Sequence, residues 1–151
     1  MSLSTKLNNK ILDMIKRHSY EMYYITRNLK LRCTCITHET KQADPMCPKC
    51  LGTGYKITIR KIKAAAQDTK LPPTFRSDKF IVARNFFLNS SINCKEDDII
   101  VDKDNVYMVL EIQELLSLEG TIPYRKISGV KKKFDTTKFM DNFNNIIRTR
   151  K

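Results

Sequence analysis

Four of the five cysteines stand between residues 33 and 50, in the stretch "LRCTCITHETKQADPMCPKCLGTGY" (residues 31–55). No other feature constrains the fold as much, because two close pairs of thiols separated by eleven residues make the chain loop back wherever they share a partner. A metal, disulfides and thiol chemistry are the three uses open to them. The N-terminal run "MSLSTKLNNKILDMIK" is broken by Lys6, Lys10 and Asp13 and has no apolar secretory core, so a chain made and kept, or assembled, in the cytosol is expected. Structural disulfides are rare there. Four thiolates are what a tetrahedral structural zinc takes, and zinc on Cys33, Cys35, Cys47 and Cys50 is the expectation.

The second pair carries most of that reading. In Cys47-Pro48-Lys49-Cys50-Leu51-Gly52-Thr53-Gly54 the proline pre-sets a turn, and the two glycines let the backbone bend until its N–H groups point at sulfur. Lys49 offsets part of the charge of a zinc tetrathiolate. The first pair, with one residue between its cysteines, is tighter than the usual spacing of two to four, so His38 stands as an alternative ligand in place of Cys33 or Cys35. Redox chemistry of the C-x-x-C type belongs at a helix N-terminus in a βαβ setting, and a glycine-rich turn follows here instead. A catalytic zinc needs an open position and a nearby general base; Glu39 is the one glutamate inside the segment. The pattern from Cys47 to Gly54 resembles one repeat of the zinc-binding domain of DnaJ-type chaperones. That local likeness implies a shared way of wrapping zinc.

The rest of the 151 residues has room for one modest core. Leu7, Ile11, Met14 and Ile15 form the stripe of an amphipathic helix with Ser4 as its N-cap, packed on the core or on a neighbouring subunit. In "SYEMYYITRNLKL", Tyr20, Met22 and Tyr24 alternate with Tyr23 and Ile25, which predicts a strand; "YKITIRKIK" alternates likewise, with Tyr55, Ile57 and Ile59 opposite a basic face of Lys56, Thr58 and Arg60. Pro72-Pro73 predicts an extended loop. "KFIVARNFFL" reads as a strand, and "DDIIVDKDNVYMVLEIQELL" as a hairpin turning at Asp102 to Asn105. A last strand follows around Gly120, Tyr124 and Ile127. Phe139, Phe143, Ile146 and Ile147 then mark a helix capped by Asp135 or Thr136. The expected fold is α+β: a mainly antiparallel β barrel or sheet with N- and C-terminal helices and a small zinc-binding module. Its parts are residues 1–30 (helix and strand), 31–56 (zinc module) and 57–151 (β-rich unit with the C-terminal helix), forming one compact unit.

Charge is unevenly spread. Residues 1–63 carry 13 Lys and Arg against 4 Asp and Glu, residues 64–120 carry 6 against 10, and residues 121–151 carry 9 against 2. Such a chain suits either nucleic-acid phosphates or oppositely charged neighbours in a ring or stack. The run Lys131-Lys132-Lys133 and the tail Arg148, Arg150 and Lys151 are further candidates for a charged partner. Four glycines, two of them in the cysteine turn, cannot supply a phosphate-binding loop. His18 and His38 sit in no triad pattern, Cys94 reads as a small semi-buried residue, and Asp97, Asp98, Asp102 and Asp104 read as solvated hairpin ends. No catalytic residue, small-molecule substrate or membrane contact is expected.

The segment "FIVARNFFLNSSINCKEDDIIVDKDNVYMVLEIQELLSLEGTIPYRKISG" resembles the β-domain of small neck proteins of tailed bacteriophages, the head-closure or head–tail connector class. There a phrase of the form D-x-I-V-x-x-x-x-x-x-Y-x-V closes a small barrel; Asp98, Ile100, Val101, Tyr107 and Val109 correspond to it here, with five residues between Val101 and Tyr107 where the phrase has six. The cysteine module in front is a departure from the minimal family. The resemblance implies a virion protein assembled in the host cytoplasm: a homo-oligomeric ring between portal and tail or neck proteins, with genomic DNA in its channel. The competing reading is a zinc-ribbon nucleic-acid-binding regulator, with Arg32, Lys41, Lys49, Lys56, Arg60, Lys61 and Lys63 on phosphates.

Overall fold

The alternation read from the sequence becomes six strands of one closed barrel. The computed structural model describes residues 3–37, 39, 41–70, 82–89, 91–115, 124–131 and 137–149. Helix α1 (Leu3–His18) is followed by β1 (Tyr20–Arg32), β2 (Tyr55–Lys70), β3 (Val82–Asn89), β4 (Ile99–Asp102), β5 (Asn105–Leu115), β6 (Tyr124–Lys131) and helix α2 (Thr137–Thr149). Around the barrel the order is β1-β2-β3-β6-β5-β4, every pairing is antiparallel, and β4 returns to β1 through Tyr23↔Val101, Tyr24↔Ile100 and Ile25↔Ile99. Closure removes the free edges that an open sheet exposes. The predicted antiparallel barrel with terminal helices is the fold observed. Pro72-Pro73, Gly120, Lys132, Lys133, Asp135, Thr136, Arg150 and Lys151 lie outside the described residues.

Two apolar clusters follow from the period of two along each strand. Met22 and Tyr24 of β1 join Ile62 and Ala64 of β2, Phe86 and Leu88 of β3, Ile100, Tyr107, Val109 and Ile127 in the barrel interior. Phe86 meets Tyr107 edge-on at 5.3 Å between ring centres, and a Cβ on Gly129 would stand 3.0 Å from the Phe86 ring, so glycine on β6 makes room for that ring. The second cluster lies outside the barrel wall. Ile25, Ile57, Ile99, Val101 and Val106 are covered there by Phe139 and Phe143 of α2, with Tyr23 edge-on to Phe143 at 5.2 Å. Burying each of these phenylalanines contributes roughly 1.5–3 kcal/mol, which is what docks the helix. Ile57 and Ile59, read as the core side of their strand, thus pack on this outer cluster, while Ile62 and Ala64 further along β2 face the interior.

Two expectations are corrected. Helix α1 begins at Leu3, which places Ser4 inside the first turn instead of at the cap. Of its stripe, Ile11 and Ile15 are half-buried, whereas Leu7 and Met14 stay exposed at 56% and 60%. The second correction concerns the acidic residues: Asp98 and Asp102 are buried, at 2% and 1% exposure, and are not solvated hairpin ends. Period two puts Ile100 and Asp102 on the inner face of β4, and Asp98 just before the strand lies on the same side, one carboxylate at each side of an apolar centre. The Tyr24 hydroxyl donates to Asp98 Oδ2 at 2.7 Å, and the Lys95 N–H donates to the same oxygen at 2.9 Å. The Tyr20 hydroxyl donates to Asp102 Oδ2 at 2.7 Å, and Arg84 Nη1 donates there at 2.9 Å. Both tyrosines come from β1, Asp102 ends β4 and Asp98 immediately precedes it, so the two clasps flank the three-residue seam that closes the barrel. Burial, then the hydrogen bond to Asp102, holds the Tyr20 hydroxyl up at about 12, and it remains a donor across the physiological range.

Burial raises the Asp98 carboxyl above its ordinary value against the opposing pull of Tyr24, the Lys95 N–H, Arg27 and Lys95. A carboxyl raised in the folded state binds its proton more tightly there than in the unfolded chain, so its stabilising contribution is full below about pH 4 and is lost as pH rises through the folded value. Asp98→Asn keeps an oxygen for both donors and removes the buried charge. Chemical denaturation at several pH values should therefore show the variant gaining on the wild type between about pH 4 and 7. A constant difference across that range would refute the assignment.

Candidate metal centre

Strands β1 and β2 run beyond their neighbours. β4 pairs with β1 only at residues 23–25 and β3 with β2 only from Ala65, so among the described residues 26–32 and 55–58 pair with each other alone and form an arm, while 59–63 pair with 21–25 at its base. The register shifts between Asn28 and Arg32, and the ladder continues past Arg32↔Tyr55 with the Cys33 N–H donating to the Gly54 carbonyl at 2.9 Å. At the end of this arm the four cysteines meet. The Sγ atoms of Cys33, Cys35, Cys47 and Cys50 all lie within 4.8 Å of one another. Cys33 and Cys47 are 3.7 Å apart and Cys35 and Cys50 are 3.6 Å apart.

These distances separate a disulfide from a metal site. A disulfide needs about 2.05 Å between sulfurs, far shorter than either pair. Four sulfurs about 2.3 Å from one ion at tetrahedral angles stand about 3.8 Å from each other, close to both pairs. The four cysteines therefore lie together as a group that could hold a metal ion. His38 lies outside the described residues. Cys94 is half-buried on the edge of the interior cluster, as a small filler.

The turn after Cys47 is built as its residue types require. The Leu51 N–H donates to the Cys47 carbonyl at 3.0 Å and the Thr53 N–H to the Cys50 carbonyl at 3.1 Å. Leu51, Gly52 and Gly54 have φ of 54°, 86° and 81°. Burial opposes ionisation of Cys47, but the N–H groups of Cys50 and Lys49 and the thiols of Cys50 and Cys33 outweigh it and bring Cys47 down to about 7. Burial pushes Cys50 up to about 12, against the N–H groups of Gly54 and Gly52. N–H groups aimed at sulfur are the usual outer support of a thiolate metal site. Metal binding at such a site displaces thiol protons, so affinity falls as pH falls.

Leu51 ties the turn to the molecule. Its side chain, 2% exposed, lies in the outer cluster with Ile25, Ile57 and the α2 phenylalanines, and Asn142 Nδ2 of α2 donates to the Met46 carbonyl at 3.2 Å. A Cβ on Gly54 would stand 3.1 Å from both Ala43 Cβ and Ile36 Cδ1, at a φ that side chains rarely adopt. We expect Gly54→Ala to cost about 1–3 kcal/mol and to weaken metal binding about tenfold or more. Competition against a chromophoric chelator measures this, and unchanged affinity would show that the turn is not specified by its glycine.

The pairing of the buried Asp98 and Asp102 with Tyr24, the half-buried Tyr20 and the half-buried Arg84 was not read from the sequence, and Arg84 was not named there. Their signal was present: Asp-x-Ile-x-Asp on a strand places both carboxylates on the face of Ile100, and Tyr20 and Tyr24 repeat the same spacing of four on the partner strand. The turn residues Lys103 and Asp104 had masked it, since they make the region look solvent-facing. Together these features define a class: a closed six-stranded antiparallel barrel whose extended β1–β2 arm ends in a four-cysteine group able to hold a metal. Set against protein-family models and curated proteins, the sequence matches none.

Proposed function

We propose that the chain is a structural subunit of a tailed-phage neck, copies of which form a ring that joins portal and head to tail and lines the genome passage. The observation that carries this reading is the β4–β5 hairpin. Asp98, Ile100, Val101, Tyr107 and Val109, the residues of the neck-protein phrase, are all buried, and the hairpin they form pairs with β1 to close the barrel. Exposed apolar side chains on two separate parts of the molecule suit a subunit with several neighbours: Leu7 and Met14 on α1, and Leu29, Leu31 and Met46 near the end of the arm. In this reading the metal is zinc, held by Cys33, Cys35, Cys47 and Cys50, and its role is to stiffen an arm end too small for a core of its own.

A regulator that binds nucleic acid is favoured by one observation, the exposure of Arg32, Lys41, Lys49, Lys56, Arg60, Lys61 and Lys63. The two roles separate in one experiment. Quantitative mass spectrometry of purified particles from the encoding phage should find the chain at a fixed multiple per particle, and electron microscopy of the purified protein or of necks should show closed rings. Absence from particles, with a monomer or dimer that binds a particular DNA site, would replace the structural role with the regulatory one.

A further inference from the structure

The arm formed by residues 26–32 and 55–58, together with its base at residues 24–25 and 59–60, has two unlike faces. One carries Ile25, Ile57 and Ile59 and lies under α2. On the other, the register pairs Asn28 with Lys56 and Thr26 with Thr58, and sets Arg60 opposite Tyr24, where the barrel interior begins. Asn28, Lys56, Thr58 and Arg60 are exposed and Thr26 is half-exposed. Lys56 and Arg60, four residues apart on one strand, point the same way about 13 Å apart.

The composition of this face selects its partner. Protein interfaces are anchored by apolar or aromatic side chains at their centre, and this face has none among Thr26, Asn28, Lys56, Thr58 and Arg60. Lys, Arg, Thr and Asn are the side chains that contact phosphate oxygens. Single strands are held by bases stacking on aromatic rings; Tyr24, the aromatic residue opposite Arg60, is fully buried with its hydroxyl on Asp98. The nearest ring on the arm, Tyr55, lies on the α2 side beneath the Arg27 guanidinium. The surrounding charge has the required sign, since the described residues 26–63 hold Arg27, Lys30, Arg32, Lys41, Lys49, Lys61 and Lys63 besides the face itself, against Glu39 and Asp44.

We propose that this face of the arm binds the phosphate backbone of duplex nucleic acid without sequence preference, Lys56 and Arg60 neutralising phosphates and Thr26, Asn28 and Thr58 hydrogen-bonding beside them. The inference deepens the proposed role beside a genome passage and rests on that reading for its biological setting. It is tested on the isolated chain, so it stands or falls separately from ring formation and from presence in particles.

The test is fluorescence anisotropy of the full, zinc-loaded chain with a labelled duplex of about 30 base pairs in several unrelated sequences, between about 50 and 200 mM salt. The expected result is equal affinity for all sequences and a linear fall of log affinity with log salt. Lys56→Gln with Arg60→Gln should lower affinity about tenfold or more and reduce the slope by about two. Lys10→Gln with Lys16→Gln, which removes the same charge from α1, should change both by less than about twofold. Metal content and melting temperature of each variant confirm that the fold is kept. Equal losses from the two variant pairs would overturn the assignment, as would an unchanged slope, tighter binding to a single strand than to duplex, or equal binding to polyglutamate, which would mark the face as a site for an acidic protein surface.

Discussion

Removing the metal with a chelator, or replacing Cys47 and Cys50 with serine, is expected to lower the unfolding midpoint by about 10 °C or more and to release α2 while the barrel strands stay folded. The size follows from linkage. Metal binding to a site absent from the unfolded chain is folding free energy, of which a loss of about 3–5 kcal/mol moves the midpoint of a domain this size by about 10 °C. Its locality follows from the two clusters. The cysteine turn inserts Leu51 into the outer cluster with Phe139 and Phe143, whereas the interior cluster built on Tyr24, Phe86 and Ile127 has no residue of the turn among its described members. Hydrogen exchange with mass readout should then show protection lost in residues 33–54 and 137–149 and kept in β3, β5 and β6. Elemental analysis should give about one zinc per chain. Metal-free protein whose thiols titrate freely, with unchanged melting and exchange, would end the structural-metal reading.

The second large effect is expected at the seam of the barrel. Arg84→Ala leaves Asp102, 1% exposed, without its ion pair and with the Tyr20 hydroxyl as its one remaining side-chain donor among the described residues, and should cost about 3–5 kcal/mol. That is a large part of the 5–15 kcal/mol typical of a domain. Adding Asp102→Asn removes the stranded charge and should recover most of the loss, so a double-mutant cycle by denaturant titration reads the coupling directly. The other ion pair of Arg84, to Asp68 at 3.4 Å, ends on a carboxylate 85% exposed and contributes little. Equal destabilisation of the single and double variants would show that packing of the arginine stem, and not the buried charge, holds this end of the seam.

How far the sequence could be read depended on whether a residue's partner was near in the chain. The β4–β5 hairpin was legible because Asp102 to Asn105 turn within themselves and the apolar runs on either side pair at once. The α2 stripe was legible because Phe139, Phe143, Ile146 and Ile147 recur at the helical period. Asp98 and Asp102 were misread because acidic residues beside a turn look the same whether water or a tyrosine 74 or 82 positions earlier receives them. Ile57 and Ile59 were recognised as apolar and alternating, yet which cluster they enter depends on α2, some eighty residues later.

By itself the sequence determined the cysteine turn, the strand and helix periods and the basic face of Lys56 and Arg60, because a C-P-K-C-L-G-T-G run and periods of two and 3.6 act over a few neighbouring residues. Only the tertiary structure decided that β4 closes on β1, that the buried aspartates meet Tyr20, Tyr24 and Arg84, and that all four sulfurs converge. Those contacts join residues far apart in the chain, and their geometry is fixed when barrel closure excludes water from the interior cluster and α2 covers the outer one.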